Sequence, residues 1–293
     1  MLRVVLLMIG LAGPVLAQSG AVSLEAEVFV PPGAGAEAPV VLVLHGAGGT
    51  GPALRRRSGF DQIARAQGLV AVYPTAPGRR WNDGRQPDEP RDDVAALLAL
   101  VARVVEGGVG DAGRLYVVGH SNGGGMAMRL ACAVPERLAG IAVGAAKTLV
   151  GAPCARPNRP VPALFVHGTA DAAAPHGGRR RDSADRRIAE IATRFGETLS
   201  AADTLSLWSR NNGCSGPPRV AVADPDPGDG VSLRVHDYRN CVAALRWIEV
   251  IGGGHSWPGA PPSQALQALF GPEPWVRDLD LGAAAVAFWG LGG

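Results

Sequence analysis

The sequence predicts an α/β fold with a mostly parallel central sheet flanked by helices. Short apolar runs rich in β-branched residues recur along the chain, and amphipathic 3.6-residue patterns fall between them. Several of the runs are apolar at every position, as strands buried on both faces are. The 293 residues are 47% hydrophobic and 18% charged, enough apolar material for a sizeable core. A formal net charge of +2 makes no global basic field, so neither nucleic acid nor an acidic membrane surface is expected as a partner. Specificity then has to come from local chemistry on loops, which 41 glycines and 24 prolines make abundant.

Taken in order, residues 1–17 read as a signal peptide. Arg3 supplies the positive start, a short apolar run follows, and Val15-Leu16-Ala17 offers the cleavage site. The run is shorter than the roughly 18 apolar residues of a membrane span, so no stable insertion is expected after cleavage and the protein is expected to be secreted or periplasmic. Residues 18–293 are expected to form a single domain, because no internal repeat or Ser/Gly linker divides them. Strands are expected over 24–30, 40–44, 69–73, 115–118, 141–144, 163–166 and 245–250. The clearest helix covers 92–105, where Val94, Leu97, Leu98, Val101 and Val105 mark one stripe. Another opens after Ser121 and runs toward Cys132, and a last helix ends near Trp289. Two arginine clusters, Arg55 to Arg57 and Arg179 to Arg181 with Arg186 and Arg187, read as solvated faces without function.

The four cysteines, Cys132, Cys154, Cys214 and Cys241, are even in number, which in an exported protein points to two disulfides. Three pairings are possible. Cys132 with Cys154 and Cys214 with Cys241 close the shorter loops and are favoured. No C-x-x-C pair occurs and the six histidines are scattered, so no metal site is expected.

Gly119-His120-Ser121-Asn122-Gly123 has the spacing of a nucleophile elbow, in which a serine on a tight strand-to-helix turn presents its hydroxyl to solvent. Its context fits, with Leu115-Tyr116-Val117-Val118 before it and an apolar helical pattern after it. A serine hydroxyl is a poor nucleophile until a base takes its proton, so a histidine held by a carboxylate must follow along the chain. Asp171 stands on a loop just beyond Leu164-Phe165-Val166, and His255 follows Gly252-Gly253-Gly254 after the last predicted strand. The oxyanion of a tetrahedral intermediate needs backbone N–H donors, and the amides of Asn122 and Ala47 are the candidates. Ala47 belongs to His45-Gly46-Ala47-Gly48-Gly49, which follows the second predicted strand and lacks the spacing of a phosphate loop.

These stretches resemble the exported esterases of the α/β-hydrolase fold that include poly(3-hydroxybutyrate) depolymerase-like proteins and feruloyl esterases. Tyr73-Pro74 with Trp81-Asn82-Asp83-Gly84, His167-Gly168-Thr169-Ala170-Asp171 and Gly253-Gly254-His255-Ser256-Trp257-Pro258-Gly259 complete the resemblance. It implies the triad Ser121, Asp171 and His255, a disulfide-tied excursion from Trp208 through Asn212 to Cys214 and from Tyr238 to Cys241, and Trp81 and Trp257 near the cleft as substrate contacts. Gly125 departs from the family, which more often carries a large apolar residue there. The chain's end after its last helix, with no granule-binding module, favours soluble esters or oligomers. The expectation is a monomeric serine esterase (carboxylic ester hydrolase) using no cofactor. Its partners would be small or oligomeric esters of feruloyl or 3-hydroxybutyrate type. A serine peptidase with the same triad, or a non-catalytic ligand-binding protein on this fold, are the alternatives.

Overall fold

The computed structural model describes residues 23–86, 88–152 and 157–291. The predicted signal at 1–17 and Cys154 lie outside them. Nine strands form one sheet in the order β1-β3-β2-β4-β5-β6-β9-β8-β7. They are β1 (Ala26–Phe29), β2 (Pro39–Leu44), β3 (Val70–Pro74), β4 (Asp111–His120), β5 (Gly140–Gly144), β6 (Ala163–Gly168), β7 (Arg219–Ala223), β8 (Ser232–Asp237) and β9 (Leu245–Ile251). The six central strands, from β3 to β9, are parallel, whereas β1 at one edge and the β8–β7 ribbon at the other run antiparallel. All seven expected strands are present.

The uninterrupted apolar runs have their expected cause. Val40, Leu42, Leu44, Val70, Val72, Leu115 and Val117 enter one hydrophobic cluster, and their neighbours Val41, Val43, Ala71, Tyr73, Tyr116 and Val118 enter the other, so each strand feeds both faces. On the first face α3 (Asp93–Glu106) buries Leu97, Leu100 and Val101 beside Met126 and Leu130 of α4 (Asn122–Ala133). On the second, α2 (Phe60–Gln67) meets α8 (Leu281–Phe288) through Phe60, Ala64, Leu281 and Ala285. Helix α1 (Gly51–Ser58) has no apolar stripe, but Thr50 caps it by accepting from the Ala53 amide, and Gly59 in the left-handed region turns the chain into α2.

Between β6 and β9 the chain makes its longest excursion, with α5 (Arg186–Phe195), α6 (Ala201–Asn211) and the β7–β8 ribbon; α7 (Gln264–Phe270) follows β9. A disulfide between Cys214 and Cys241 ties the turn after α6 to the β8–β9 connection, as expected. Asn212 fastens the same corner to the start of β6, donating from Nδ2 to the Val161 carbonyl at 2.8 Å. Cys132 is disulfide-bonded as well.

Candidate active site

Strand β4 ends at His120 and α4 begins at Asn122, leaving Ser121 alone on the turn with φ 54° and ψ −119°. A non-glycine residue at positive φ is strained, and persists only where the surroundings hold it. The surroundings are tight here. A Cβ on Gly119 would stand 2.1 Å from the Gly123 carbonyl oxygen, and one on Gly123 would stand 2.3 Å from that of Leu44. The Ser121 amide donates to the Gly144 carbonyl at 2.8 Å, locking the turn to β5. The glycines of the motif thus let α4 close down on β2 and β4 and force the serine outward.

Asp171 and His255 arrive on loops beyond β6 and β9, which are paired neighbours in the sheet. The Asp171 carboxylate accepts from His255 Nδ1 at 2.7 Å, and His255 Nε2 faces Ser121 Oγ at 2.9 Å. Because a carboxylate only accepts, Nδ1 carries the proton and Nε2 is free to take one from the serine. Asp171 also accepts the amides of Ala173 and Ala174 at 2.9 and 2.6 Å. Burial pushes its carboxyl up, but His255, with His167 and Lys147 behind it, outweighs burial and holds it well below the usual carboxylate range. The acid therefore stays ionised.

Several supports carried no signature in the sequence. His120 Nε2 donates to the His255 carbonyl at 2.6 Å, and burial lowers this imidazole to about 3, so it serves as a neutral strut. Glu273 accepts the amides of His255 and Ser256 at 2.5 and 3.0 Å and the Ser256 hydroxyl, gripping the loop that carries His255. The Asn122 side chain accepts from the Trp81 amide at 2.7 Å and donates to the Trp81 carbonyl and Asp83, fixing the 81–84 loop beside the serine. The Gly125 departure has a reason in this loop, since a Cβ there would meet Asp83 Oδ2 at 2.5 Å.

Ala47 and Asn122 both line the cavity with Ser121, and neither amide has another acceptor among the described residues. Gly46 lies against the serine, where its own Cβ would be 3.3 Å from that of Ser121.

The cavity that opens over Ser121 and His255 has a volume of about 320 Å³. Its far wall comes from α5 and α7, through Ile191, Phe195, Leu266 and Phe270. Two expectations need correcting. Trp81 and Trp257 are 1% and 2% exposed and do not line the cavity. Trp81 is core packing that donates from Nε1 to the His45 carbonyl at 3.0 Å, and Trp257 packs behind His120 with ring centroids 6.1 Å apart. Neither is an aromatic wall for substrate. The second correction concerns Arg179, read as solvated: it is 7% exposed and lies in the cavity lining. Burial, with Arg85 nearby, lowers its guanidinium to about 10, and burial lowers the neighbouring Lys147 to about 7.

Residues 40–270 match the α/β hydrolase family. The chain belongs to that family. Three of its relatives are the NocK protein of Nocardia uniformis subsp. tsuyamanensis, which carries the name of an esterase (32% identical; 75% of this chain, 66% of the relative), feruloyl esterase B of Piromyces equi (26%; 61% and 31%) and the poly(3-hydroxybutyrate) depolymerase of Ralstonia pickettii (33%; 36% and 25%). The chain thus spans between a quarter and two thirds of the length of these relatives. In fold this α/β hydrolase is similar to the acetyl xylan esterase of Aspergillus awamori, with TM-score 0.56 at 16% identity over 92% of this chain and 94% of that one. The resemblance read from the five motif blocks and this membership agree.

Proposed function

We propose that this α/β hydrolase is an exported serine esterase that cleaves carboxylic esters through an acyl-enzyme on Ser121. The observation that carries the reading is the hydrogen-bonded chain Ser121, His255, Asp171 at the base of a cavity that also presents the Ala47 and Asn122 amides. In this scheme His255 Nε2 takes the hydroxyl proton as Oγ attacks the ester carbonyl, and the two amides hold the resulting oxyanion. Collapse expels the alcohol, to which His255 returns the proton. Water then repeats the sequence on the acyl group, and Asp171 keeps the imidazole in one tautomer throughout. No cofactor takes part.

The names of the relatives support esters as the substrate, of feruloyl or 3-hydroxybutyrate oligomer type. The Cys214–Cys241 disulfide and the apolar opening of the chain support export. The reading includes action as a single catalytic domain over residues 18–293 and as a monomer. The test is initial rates on methyl ferulate and on soluble 3-hydroxybutyrate oligomers, with Ser121→Ala as the blank. Loss of the nucleophile is expected to cost at least about 10⁴-fold in kcat and to abolish labelling by a fluorophosphonate probe. A variant that keeps more than a few per cent of the activity overturns the assignment.

A further inference from the structure

The cations that line the cavity differ in how they are neutralised. Arg85 forks onto Asp83 and sends Nη1 to the Phe195 carbonyl at 3.1 Å. Arg194 lies over the Phe195 ring, 5.0 Å from its centroid, and Lys147 Nζ donates to the Ala174 carbonyl at 2.8 Å. Arg179 has nothing. Its side chain makes no hydrogen bond or ion pair among the described residues, and its Nε is buried without a partner. The main chain at that point is firmly placed, since the Arg179 amide donates to the Thr198 carbonyl at 3.2 Å and the Thr198 amide returns a bond at 3.0 Å. The backbone that carries the guanidinium is therefore fixed at the cavity wall.

Asp83 and Asp171 act on it through space, but no carboxylate among the described residues pairs with it directly. Asp83 is taken by Arg85 and Asn122, Glu190 pairs with Arg186 at 2.9 Å, and Asp171 is committed to His255. The residues outside the described ones contain no aspartate or glutamate. A buried, protonated guanidinium is ordinarily found with a counter-ion, and its planar fork fits a carboxylate bidentately. The same cavity holds the serine, so the missing counter-ion and the scissile ester belong to one ligand.

We propose that Arg179 is the anion subsite of this cavity and that the ester cleaved at Ser121 carries a free carboxylate, as a short hydroxyacid oligoester does at its acid end. Lys147 lines the same cavity, but burial lowers it to about 7 and its Nζ is held by the Ala174 carbonyl, which leaves Arg179 as the lasting positive charge. The proposal rests on the esterase reading and selects, within it, acidic oligoesters over neutral aryl esters.

The experiment compares the linear 3-hydroxybutyrate dimer as the free acid and as its terminal methyl ester, scored at the internal ester bond. The wild type is expected to favour the acid by at least tenfold in kcat/KM, mainly through KM. Arg179→Gln should bring the ratio to near one, and Arg179→Lys should keep part of it. In a Ser121→Ala background, calorimetry with the free-acid dimer should show binding that Arg179→Gln weakens at least tenfold. Equal rates of the wild type on the two esters overturn the subsite and leave the esterase reading standing. That comparison needs no variant to fold. Should neither ester be cleaved while the acid still binds Ser121→Ala in an Arg179-dependent way, the esterase reading fails and the subsite survives.

Discussion

The triad end of the cavity and the wall facing it are built from different parts of the chain by different means. Ser121, Asp171 and His255 stand on turns directly beyond β4, β6 and β9, and main-chain contacts fix them: the Ser121 amide on Gly144, the Ala173 and Ala174 amides on Asp171, and the His255 amide and carbonyl on Glu273 and His120. The wall comes from α5, α7 and the strand-like stretch around Arg179, and it works through side chains. Leu269 is 68% exposed, and α7 contains no buried residue. In the proposed reading, chemistry is thus tied to the sheet, where a shift of one strand would be felt throughout the core, whereas recognition is left to segments that can change residue by residue.

That contrast can be broken at its strong end first. Asp171→Asn keeps the shape but offers the imidazole the wrong hydrogen-bond pattern, so kcat should fall about 10⁴-fold with KM little changed, and the melting temperature should fall too, because a carboxylate held below its usual range contributes stability at neutral pH. A loss below tenfold would mean that the triad end is not assembled as described. Acid should expose the same end next. Burial lowers His120 and His167 to about 3, whereas both titrate near 6.5 once unfolded. The unfolded chain therefore binds more protons below about pH 6.5, and this contribution to stability, complete above that value, is lost as pH falls toward 3. Unfolding free energies at pH 8, 6 and 4.5 should fall in that order, by several kcal/mol in total. A flat series would show that these imidazoles are not held neutral. The smallest effect belongs to the wall. Leu269→Ala should change stability by no more than about 0.5 kcal/mol and shift the ratio of rates between two esters by a few-fold, measured by competition between them.

The same division explains what could be read in advance. Strands of the parallel sheet announce themselves because burial on both faces demands apolar residues at every position, and the elbow does so because only glycine fits beside Gly123 and Leu44. Helix α1 carries a cap signal, Thr50 followed by proline in the first turn, but no apolar stripe to go with it. Strand β7 is exposed along its whole length and offers no burial pattern at all. Glu273 and Arg179 are single residues whose importance comes from contacts with distant segments, and an arginine in a run of arginines looks like surface until its burial is seen. The tryptophans misled for the opposite reason, since a large aromatic next to a catalytic motif serves core packing as readily as a binding wall.

The hydrogen bond between Ser121 and His255 closes a loop of 134 residues, and that between His255 and Asp171 one of 84. The elbow is a local structure, formed within a few residues of β4. The base, in contrast, reaches it only after β9 has been inserted between β6 and β8. Contacts of such sequence separation form slowly, because loop-closure entropy has to be met before they contribute. Refolding should therefore recover helical signal well before it recovers a serine that reacts with a phosphonate, and the interval between the two would time the arrival of the final strand.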